Sequence, residues 1–320
     1  MKVTKNMIHE DLQKSSNLLQ LVPGFLTRKW SVNCANFFID KIYKGKNIDS
    51  LDCSEVYINS KSDNYKIRVK VYKPKKYPGK LPILLYIHGG GYIIGNPEQF
   101  GNIIEKYIET RPCIVVSPDY RLALEKPYPA ALNDCYDTLL WAKENADKID
   151  GDSEKIMVAG HSAGGGLTAA VTLKNRDTKA VKIAFQMPIY PMIDDTQYSD
   201  SDRHIITPAW DSRSNKFAWE SYLSDIHKNG SEIPSYSAPA RNKDYSDFPP
   251  TITFVGNLDP FYKETLAYVD DLKSTNIDVT FKEYDRCFHG FDMMAGESDI
   301  SNDALNFTFE NFGKYYDKYL

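Results

Sequence analysis

The sequence lacks long apolar runs and a strong excess of charge of either sign. No segment of the 320 residues reaches the roughly 18 uninterrupted apolar residues of a membrane span, and the first residues lack the apolar core of a signal peptide. The 39 basic and 43 acidic side chains give a net charge of −4 and form no long block of like charge. These absences predict a cytoplasmic protein with neither a nucleic-acid nor a membrane partner.

Cysteine is scarce and scattered. The five cysteines are an odd number and include no CxxC pair of the kind that binds zinc or forms a redox centre; they are Cys34, Cys53, Cys113, Cys135 and Cys287. We therefore expect reduced thiols and no metal site. Hydrophobic residues make up 42% of the chain and charged residues 26%, an ordinary globular composition with enough apolar surface for a large core.

The apolar pattern divides the chain into helical and strand-rich parts. Apolar positions at helical spacing predict short helices over residues 1–50, and the alternating stretches "EVYINS" and "YKIRVKVYKP" predict a hairpin. Six later runs are apolar on both faces, as buried parallel strands are: "PILLYIHGG", "CIVVSPDY", "KIMVAG", "KIAFQMPIY", "TITFVGN" and "VTFKEY". Helical stretches between them predict an α/β fold with a mostly parallel, eight-stranded sheet flanked by helices.

Residues 194–247 interrupt this alternation. They contain no clear strand pattern, and we expect a helical excursion over one end of the sheet that meets the N-terminal helices. Five aromatic side chains of these two segments either wall a ligand pocket or pack the segments together: Trp210, Phe217, Trp219, Phe25 and Trp30. Both interpretations stay open at the level of sequence.

The stretch "GHSAGGG" places Ser162 where a strand is expected to turn into a helix. Small neighbours allow a tight turn that projects the serine hydroxyl at the carboxyl end of the sheet. The helix that follows adds the positive end of its dipole near any oxyanion. This motif alone is weak, because a chain of this composition meets it by chance roughly one time in ten.

A second motif, "YIHGGGY", follows another apolar strand. Its three consecutive glycines let backbone N–H groups turn inward without side chains in the way, and an acyl-transfer enzyme needs such donors for developing negative charge. A plain glycine-rich turn is the alternative interpretation. The two motifs together favour nucleophilic catalysis.

A serine nucleophile needs a base, and the base needs an orienting carboxylate. Of the six histidines, His289 is the best candidate because it stands just after the last predicted strand, at the carboxyl edge. Asp259 ends the preceding strand, and Asp285 and Asp292 are its competitors. The order Ser162, Asp259, His289 is that of the α/β-hydrolase triad.

The chain at this point resembles the hormone-sensitive lipase family of α/β-hydrolases, over about residues 81–289. The motifs that carry the resemblance are "HGGG", "DYRLALEKPYPAALNDCYDTLLW", "GHSAGG", "YSAPAR", "GNLDP" and "FHGF". The sequence departs from that pattern at His161, where relatives commonly have an acidic residue or threonine, and at Leu124, where they have proline.

The resemblance implies a role for each matching residue. Ser162 would be the nucleophile, His289 the general base and Asp259 its orienting acid. The oxyanion hole would be formed by the N–H groups of Gly90, Gly91 and Ala163, and structural support by His88, Gly89, Asp119 and Glu125.

The resemblance also implies a domain division and a function. Residues 1–50 and 194–247 would form a helical cap, and residues 51–193 and 248–320 the catalytic domain. The expected function is hydrolysis of small, short-acyl carboxylic esters through an acyl-enzyme, without metal or cofactor. An amidase or deacetylase acting on acylated amines or sugars, and a non-catalytic binding protein on the same fold, are the alternatives. A homodimer is a further possible assembly.

Overall fold

The eight predicted strands form one sheet in the order β1-β2-β4-β3-β5-β6-β7-β8 in a computed structural model, which describes residues 1–320. The strands are β1 (Leu51–Asn59), β2 (Lys66–Pro74), β3 (Leu81–Ile87), β4 (Ile114–Asp119), β5 (Gly151–His161), β6 (Ile183–Ile189), β7 (Thr251–Gly256) and β8 (Val279–Tyr284). The β1–β2 and β2–β4 pairs are antiparallel and all others are parallel. The predicted fold class is confirmed.

Helices cover both faces of the sheet. The α-helices are α1 (Gln13–Leu19), α2 (Val22–Phe25), α3 (Lys29–Tyr43), α4 (Gly101–Thr110), α5 (Ala130–Glu144), α6 (Ala163–Thr178), α7 (Ser212–Tyr222), α8 (Ser224–Asn229), α9 (Tyr262–Ser274), α10 (Phe291–Met294) and α11 (Asp299–Tyr319). Helices α5 and α6 contact β3 and β5, whereas α4 and α11 contact each other and the sheet.

The side chains of β3 show why the sequences of the central strands are apolar at every position. Ile83 and Leu85 enter one hydrophobic cluster, with Leu139 of α5, and the alternating Leu84 and Tyr86 enter the other cluster across the sheet. Successive side chains of a strand point to opposite faces, so a strand covered on both sides must be apolar at every position.

Two helical segments lie beside this sheet. Residues 1–50 contain α1 to α3, and residues 194–247 contain α7, α8 and short 3-10 turns with no strand of the sheet. Helix α2 contacts α7, and Lys2 pairs with Ile206 in an isolated bridge. The assignment of these segments to one cap stays a prediction. None of the helices is both long and apolar enough to cross a membrane.

Candidate active site

The turn between β5 and α6 holds Ser162 in a strained conformation. Its φ of 60° and ψ of −121° lie where an L-residue is seldom found, and strain of this kind clusters at functional sites. Gly164, in the first turn of α6, has no room for a side chain: a Cβ there would lie 2.1 Å from the carbonyl oxygen of Ile87. The small neighbours expected from the sequence are therefore required by the close approach of β3.

The structure brings Ser162, His289 and Asp259 together. The Ser162 Oγ lies 2.8 Å from the His289 Nε2, and the His289 Nδ1 lies 2.7 Å from the Asp259 Oδ2. The other Asp259 oxygen accepts a hydrogen bond of 2.8 Å from the N–H of Phe261. When the imidazole donates its Nδ1 proton to the carboxylate, Nε2 is free to accept the serine proton.

The two competing aspartates are engaged elsewhere. The exposed Asp285 accepts a hydrogen bond from the amide of Asn257 at 2.7 Å. Asp292 is buried and accepts from the hydroxyl of Tyr190 at 3.0 Å. Neither carboxylate hydrogen-bonds to His289, so the geometry favours Asp259 as the partner of the imidazole.

The imidazole of His289 is held between two aromatic rings. Tyr190 and Phe261 each meet it edge to face, with ring centroids 4.9 Å apart. Sequence reasoning missed both residues. Tyr190 directly follows β6, and Phe261 stands two residues after Asp259. Their position at the carboxyl edge of the sheet is the sequence feature that could have identified them as neighbours of the site.

The glycine-rich motif forms a loop beside Ser162. The φ of Gly90 is +119°, and a Cβ there would lie 1.8 Å from the carbonyl oxygen of Ile94, so only glycine fits. The N–H groups of Gly90 and Gly91 make no hydrogen bond within the chain. Ala163 is the first residue of α6, where an N–H has no partner inside its own helix.

The expected supports of this loop make different contacts. The ring of His88 stacks on Tyr120 at 4.1 Å, and its Nδ1 lies 2.8 Å from the carbonyl oxygen of Gly89. Burial lowers the pKa of His88, which favours a neutral ring. Asp119 accepts from Arg68 at 3.1 Å at the end of β4.

Glu125 is not brought to the loop. It is exposed, and its carboxylate makes no hydrogen bond or ion pair within the chain. The neighbouring Arg121 instead makes the buried contact, with Asp134 at 2.7 Å. The expected supporting contact of Glu125 is therefore absent, because the charged anchor of the segment lies four residues earlier.

Ser162 and His289 open into a cavity of about 600 Å³. Gly90 and Gly91 line the same cavity, together with apolar side chains that include Trp210. A volume of this size suits a small organic ligand, and the mostly apolar walls with a few polar groups are typical of such sites.

The comparisons with known proteins agree with this geometry. A family model described as an alpha/beta hydrolase fold matches residues 84–293. The chain belongs to the alpha/beta hydrolase family. The residues that it matches include Ser162, Asp259 and His289.

Several named relatives of this alpha/beta hydrolase are esterases. The chain is 32% identical to "Carboxylesterase NlhH" of Mycobacterium tuberculosis, over 70% of this chain and 71% of the relative. It is 29% identical to "Esterase LipI" of the same species, with 75% of each chain covered. The solved structure "Bacterial Heroin Esterase" superposes with a TM-score of 0.89 at 26% identity, over 98% of this chain and 99% of that one. The resemblance to the hormone-sensitive lipase family and the expectation of an esterase-type hydrolase are confirmed.

His161, beside the serine of this hydrolase, is buried and hydrogen-bonded. Its Nδ1 lies 2.9 Å from the hydroxyl of Tyr86, and its ring lines the cavity. Burial, with the nearby positive charge that His289 can carry, lowers the pKa of His161 to about 3. The ring is therefore neutral at physiological pH and adds a polar but uncharged wall.

The aromatic residues singled out in the sequence have different environments. Trp210 lines the cavity, and its ring lies close to Gly91. Trp219 is fully buried against Tyr92, with ring centroids 5.5 Å apart. Phe25 and Trp30 are exposed and pack edge to face with one another. Only Trp210 of the five walls the cavity.

Metal-ligating groups are not clustered in this hydrolase. No set of three or more His, Cys, Asp or Glu side chains is placed to hold a metal ion. A second cavity of about 490 Å³ lies between α3 and the segment from Asp119 to Glu125, apart from Ser162.

Proposed function

We propose that this hydrolase is a serine carboxylesterase that releases short acyl groups from small carboxylic esters through an acyl-enzyme on Ser162. The observation that carries the proposal is the continuous hydrogen-bonded chain from the Ser162 Oγ through the imidazole of His289 to the Asp259 carboxylate, at 2.8 and 2.7 Å. A binding protein on this fold would have no need of a base aligned on the hydroxyl.

In the first half of the reaction, the His289 Nε2 takes the serine proton as the Ser162 Oγ attacks the ester carbonyl. The carbonyl oxygen becomes an oxyanion, which the N–H groups of Gly90, Gly91 and Ala163 would stabilise; such donors contribute about 3 kcal/mol each in comparable enzymes. His289 then gives the proton to the departing alkoxide, so an alcohol leaves and the acyl group stays on the serine.

In the second half, His289 takes a proton from water, whose oxygen attacks the acyl carbonyl. The oxyanion forms again at the same donors, and collapse returns the proton to the Ser162 Oγ and releases the carboxylic acid. Asp259 holds the Nδ1 proton throughout and stabilises the imidazolium. Tyr190 and Phe261 keep the ring in the orientation that both proton transfers require.

The walls of the cavity support a preference for short acyl chains, of roughly two to six carbons. The Trp210 ring lies close to Gly91, so bulky aromatic surface adjoins the proposed oxyanion donors. A long acyl chain would have to pass this ring. The same reaction geometry serves activated amides, since the donors meet a carbonyl oxygen in both cases, and an amidase is therefore an outcome of the test.

Steady-state hydrolysis of p-nitrophenyl acetate, butyrate and octanoate, beside 4-nitroacetanilide, tests this proposal. We expect kcat/KM to be highest for acetate or butyrate and to fall for octanoate, with little turnover of the anilide. A higher kcat/KM for octanoate would contradict the short-acyl assignment, and faster turnover of the anilide than of the acetate ester would make the protein an amidase. No turnover of any substrate would favour the binding-protein alternative.

We further propose that the protein resides in the cytoplasm. All five cysteines are free, and three of them are buried thiols: Cys113, Cys135 and Cys287. Unpaired thiols are ordinary in a reducing compartment. Cell fractionation with an antibody against the native chain checks the location.

The homodimer is a separate expectation, and light scattering measures the molar mass that checks it.

A further inference from the structure

The exposed apolar side chains of this protein are concentrated at its N-terminal end. Of thirteen large apolar residues exposed to solvent, nine lie within residues 1–43. Six of these, from α2, α3 and the residue before α2, are named here the apolar surface: Leu21, Phe25, Trp30, Phe37, Phe38 and Ile42. Soluble monomers seldom group exposed apolar residues in this way, and such patches mark interaction sites.

Helix α3 is apolar on two opposite sides. Val32 is buried, and Ile39 lines the cavity that contains Ser162. Trp30, Phe37 and Phe38 recur at helical spacing on the outer side and are 62%, 59% and 56% exposed. Packing of the chain accounts for the inner side, whereas these three rings stay more than half exposed; Phe37 also borders the second cavity, between α3 and Asp119–Glu125.

The aromatic side chains of the apolar surface contact one another. Phe25 and Trp30 meet edge to face at 6.0 Å, which joins α2 to α3, and Phe37 meets Phe38 at 5.7 Å. Aromatic residues with an apolar body are common where a helix lies at a membrane interface.

The helices that carry the apolar surface also line the active-site cavity. Val22 and Leu26 of the α2 region and Ile39 of α3 line the cavity, and each is a neighbour in sequence of a member of the apolar surface. Whatever covers the outer side of these helices therefore lies next to the cavity that contains Ser162.

The N-terminal segment that carries the apolar surface is basic. Residues 1–50 carry eight lysine and arginine side chains against four acidic ones, whereas the remaining chain carries 31 against 39. Of these eight basic side chains, Lys44 alone forms an ion pair, with Asp40 and Asp119. The Lys41 Nζ lies 5.5 Å from the ring of Phe37, within the apolar surface itself. A second copy of this segment would bring like charges together, but an anionic lipid surface would complement both the charge and the apolar side chains.

We propose that α2 and α3 dock this esterase on an anionic phospholipid membrane, with the apolar surface inserted at the headgroup boundary and the cavity beside the lipid. The sequence predicted no membrane partner because no run is long enough to span a bilayer; peripheral docking needs no such run. Docking does not depend on hydrolysis, so it can be tested separately from the proposed function.

Flotation of the full-length protein with vesicles tests the proposal. Phosphatidylcholine vesicles are compared with vesicles in which phosphatidylglycerol replaces part of the phosphatidylcholine, at low and high salt. We expect binding to the anionic vesicles to be at least about tenfold stronger and to weaken with salt, because several basic side chains approach the charged surface.

Matched variants distinguish docking through the apolar surface from non-specific adsorption to vesicles. Phe37→Ser with Phe38→Ser, and separately Lys41→Glu, should each reduce binding several-fold, whereas Tyr57→Ser with Tyr77→Ser, exposed aromatic residues outside the surface, should not. Each variant should hydrolyse p-nitrophenyl acetate at the wild-type rate, which shows that it is folded. Absent or equal binding to both vesicle types, or equal loss in the tyrosine control, would overturn the proposal. A dimer that dissociates in the Phe37/Phe38 variant, without vesicle binding, would overturn it too and assign the surface to self-association.

Discussion

Two buried groups beside Ser162 carry opposite pKa shifts for the same reason. Burial disfavours charge, so it raises the pKa of Asp292 to about 6 and lowers the pKa of His161 to about 3. The hydroxyl of Tyr190, which donates to Asp292, opposes part of that rise. Near Ser162, the carboxyl group of Asp292 therefore titrates at about pH 6, whereas His161 stays neutral above about pH 3.

The raised pKa of Asp292 predicts a pH-dependent effect of Asp292→Asn on stability. The folded protein holds the Asp292 proton up to about pH 6, whereas the unfolded chain releases it near pH 3.8. Folding therefore takes up a proton between these values, and the contribution of this carboxyl group to stability falls as pH rises through them. Asparagine does not titrate, so the stability of the variant does not contain this pH-dependent loss. The Tm of Asp292→Asn minus the Tm of the wild type should therefore be larger at pH 7 than at pH 4.

Thermal unfolding at both pH values measures that difference. Asp285→Asn is the control, because Asp285 is exposed and hydrogen-bonded to Asn257 rather than buried. A Tm difference for Asp292→Asn that stays constant from pH 4 to pH 7 would show that Asp292 is not held protonated by burial.

Sequence reasoning reached some residues of the site and missed others for a physical reason. Ser162, Asp259 and His289 could be selected because each follows a strand and so reaches the carboxyl edge, where the structure joins them by hydrogen bonds. Tyr190 and Phe261 also lie at that edge. Their packing on the imidazole depends on side-chain directions across several loops, which a one-dimensional pattern does not contain.

Helices and strands were predicted more reliably than their ends. The helices expected between the strands are present, and the first of them, α4, begins at Gly101 after a 3-10 turn over Pro97–Phe100. Helix α11 begins at Asp299, where the Ser298 hydroxyl accepts a hydrogen bond from the N–H of Ser301. Such caps depend on one polar side chain and leave the apolar periodicity unchanged.

The turn between β5 and α6 predicts a large effect of Gly164→Ala. The added methyl group would meet the Ile87 carbonyl oxygen at 2.1 Å, and β3 cannot move away without breaking the sheet. We expect a loss of about 3 kcal/mol or more in the free energy of unfolding, at the upper end of overpacking effects. Urea denaturation measures it.

Gly24→Ala is the matched control for that variant. Gly24 lies in α2, and nothing lies within 4 Å of the position that its Cβ would occupy. Alanine there should be neutral or stabilising by up to about 1 kcal/mol, from helix propensity. Equal effects of the two substitutions would show that the close approach at Gly164 is not what requires a glycine.

At the scale of the whole molecule, one ion-pair cluster around the buried Arg68 and Glu98 joins distant parts of the chain. Arg68 of β2 donates to Glu55 of β1 at 2.7 Å, to Asp119 of β4 at 3.1 Å and to Glu98 in the turn before α4. Glu98 also accepts from the N–H of Gly45, just after α3, at 2.8 Å. The cluster thus connects the N-terminal helices to the sheet.

Arg68→Ala should destabilise the protein by about 3 to 5 kcal/mol, because it leaves the buried Glu98 carboxylate without its cation. Arg111→Ala is the control: it breaks an exposed pair with Asp317, at 2.8 Å, and should cost about 1 kcal/mol or less. Urea denaturation of both variants gives the comparison. Similar losses for the two would mean that burial does not decide the strength of these pairs.

Hydrolysis of p-nitrophenyl butyrate by Ser162→Ala measures whether Ser162 is the nucleophile of an esterase. We expect kcat to fall by at least roughly a thousandfold, with the fold and Tm retained, and a fluorophosphonate to label the wild type at Ser162 alone. If the folded Ser162→Ala protein kept most of the wild-type rate, or was labelled equally by the fluorophosphonate, Ser162 would not be the nucleophile.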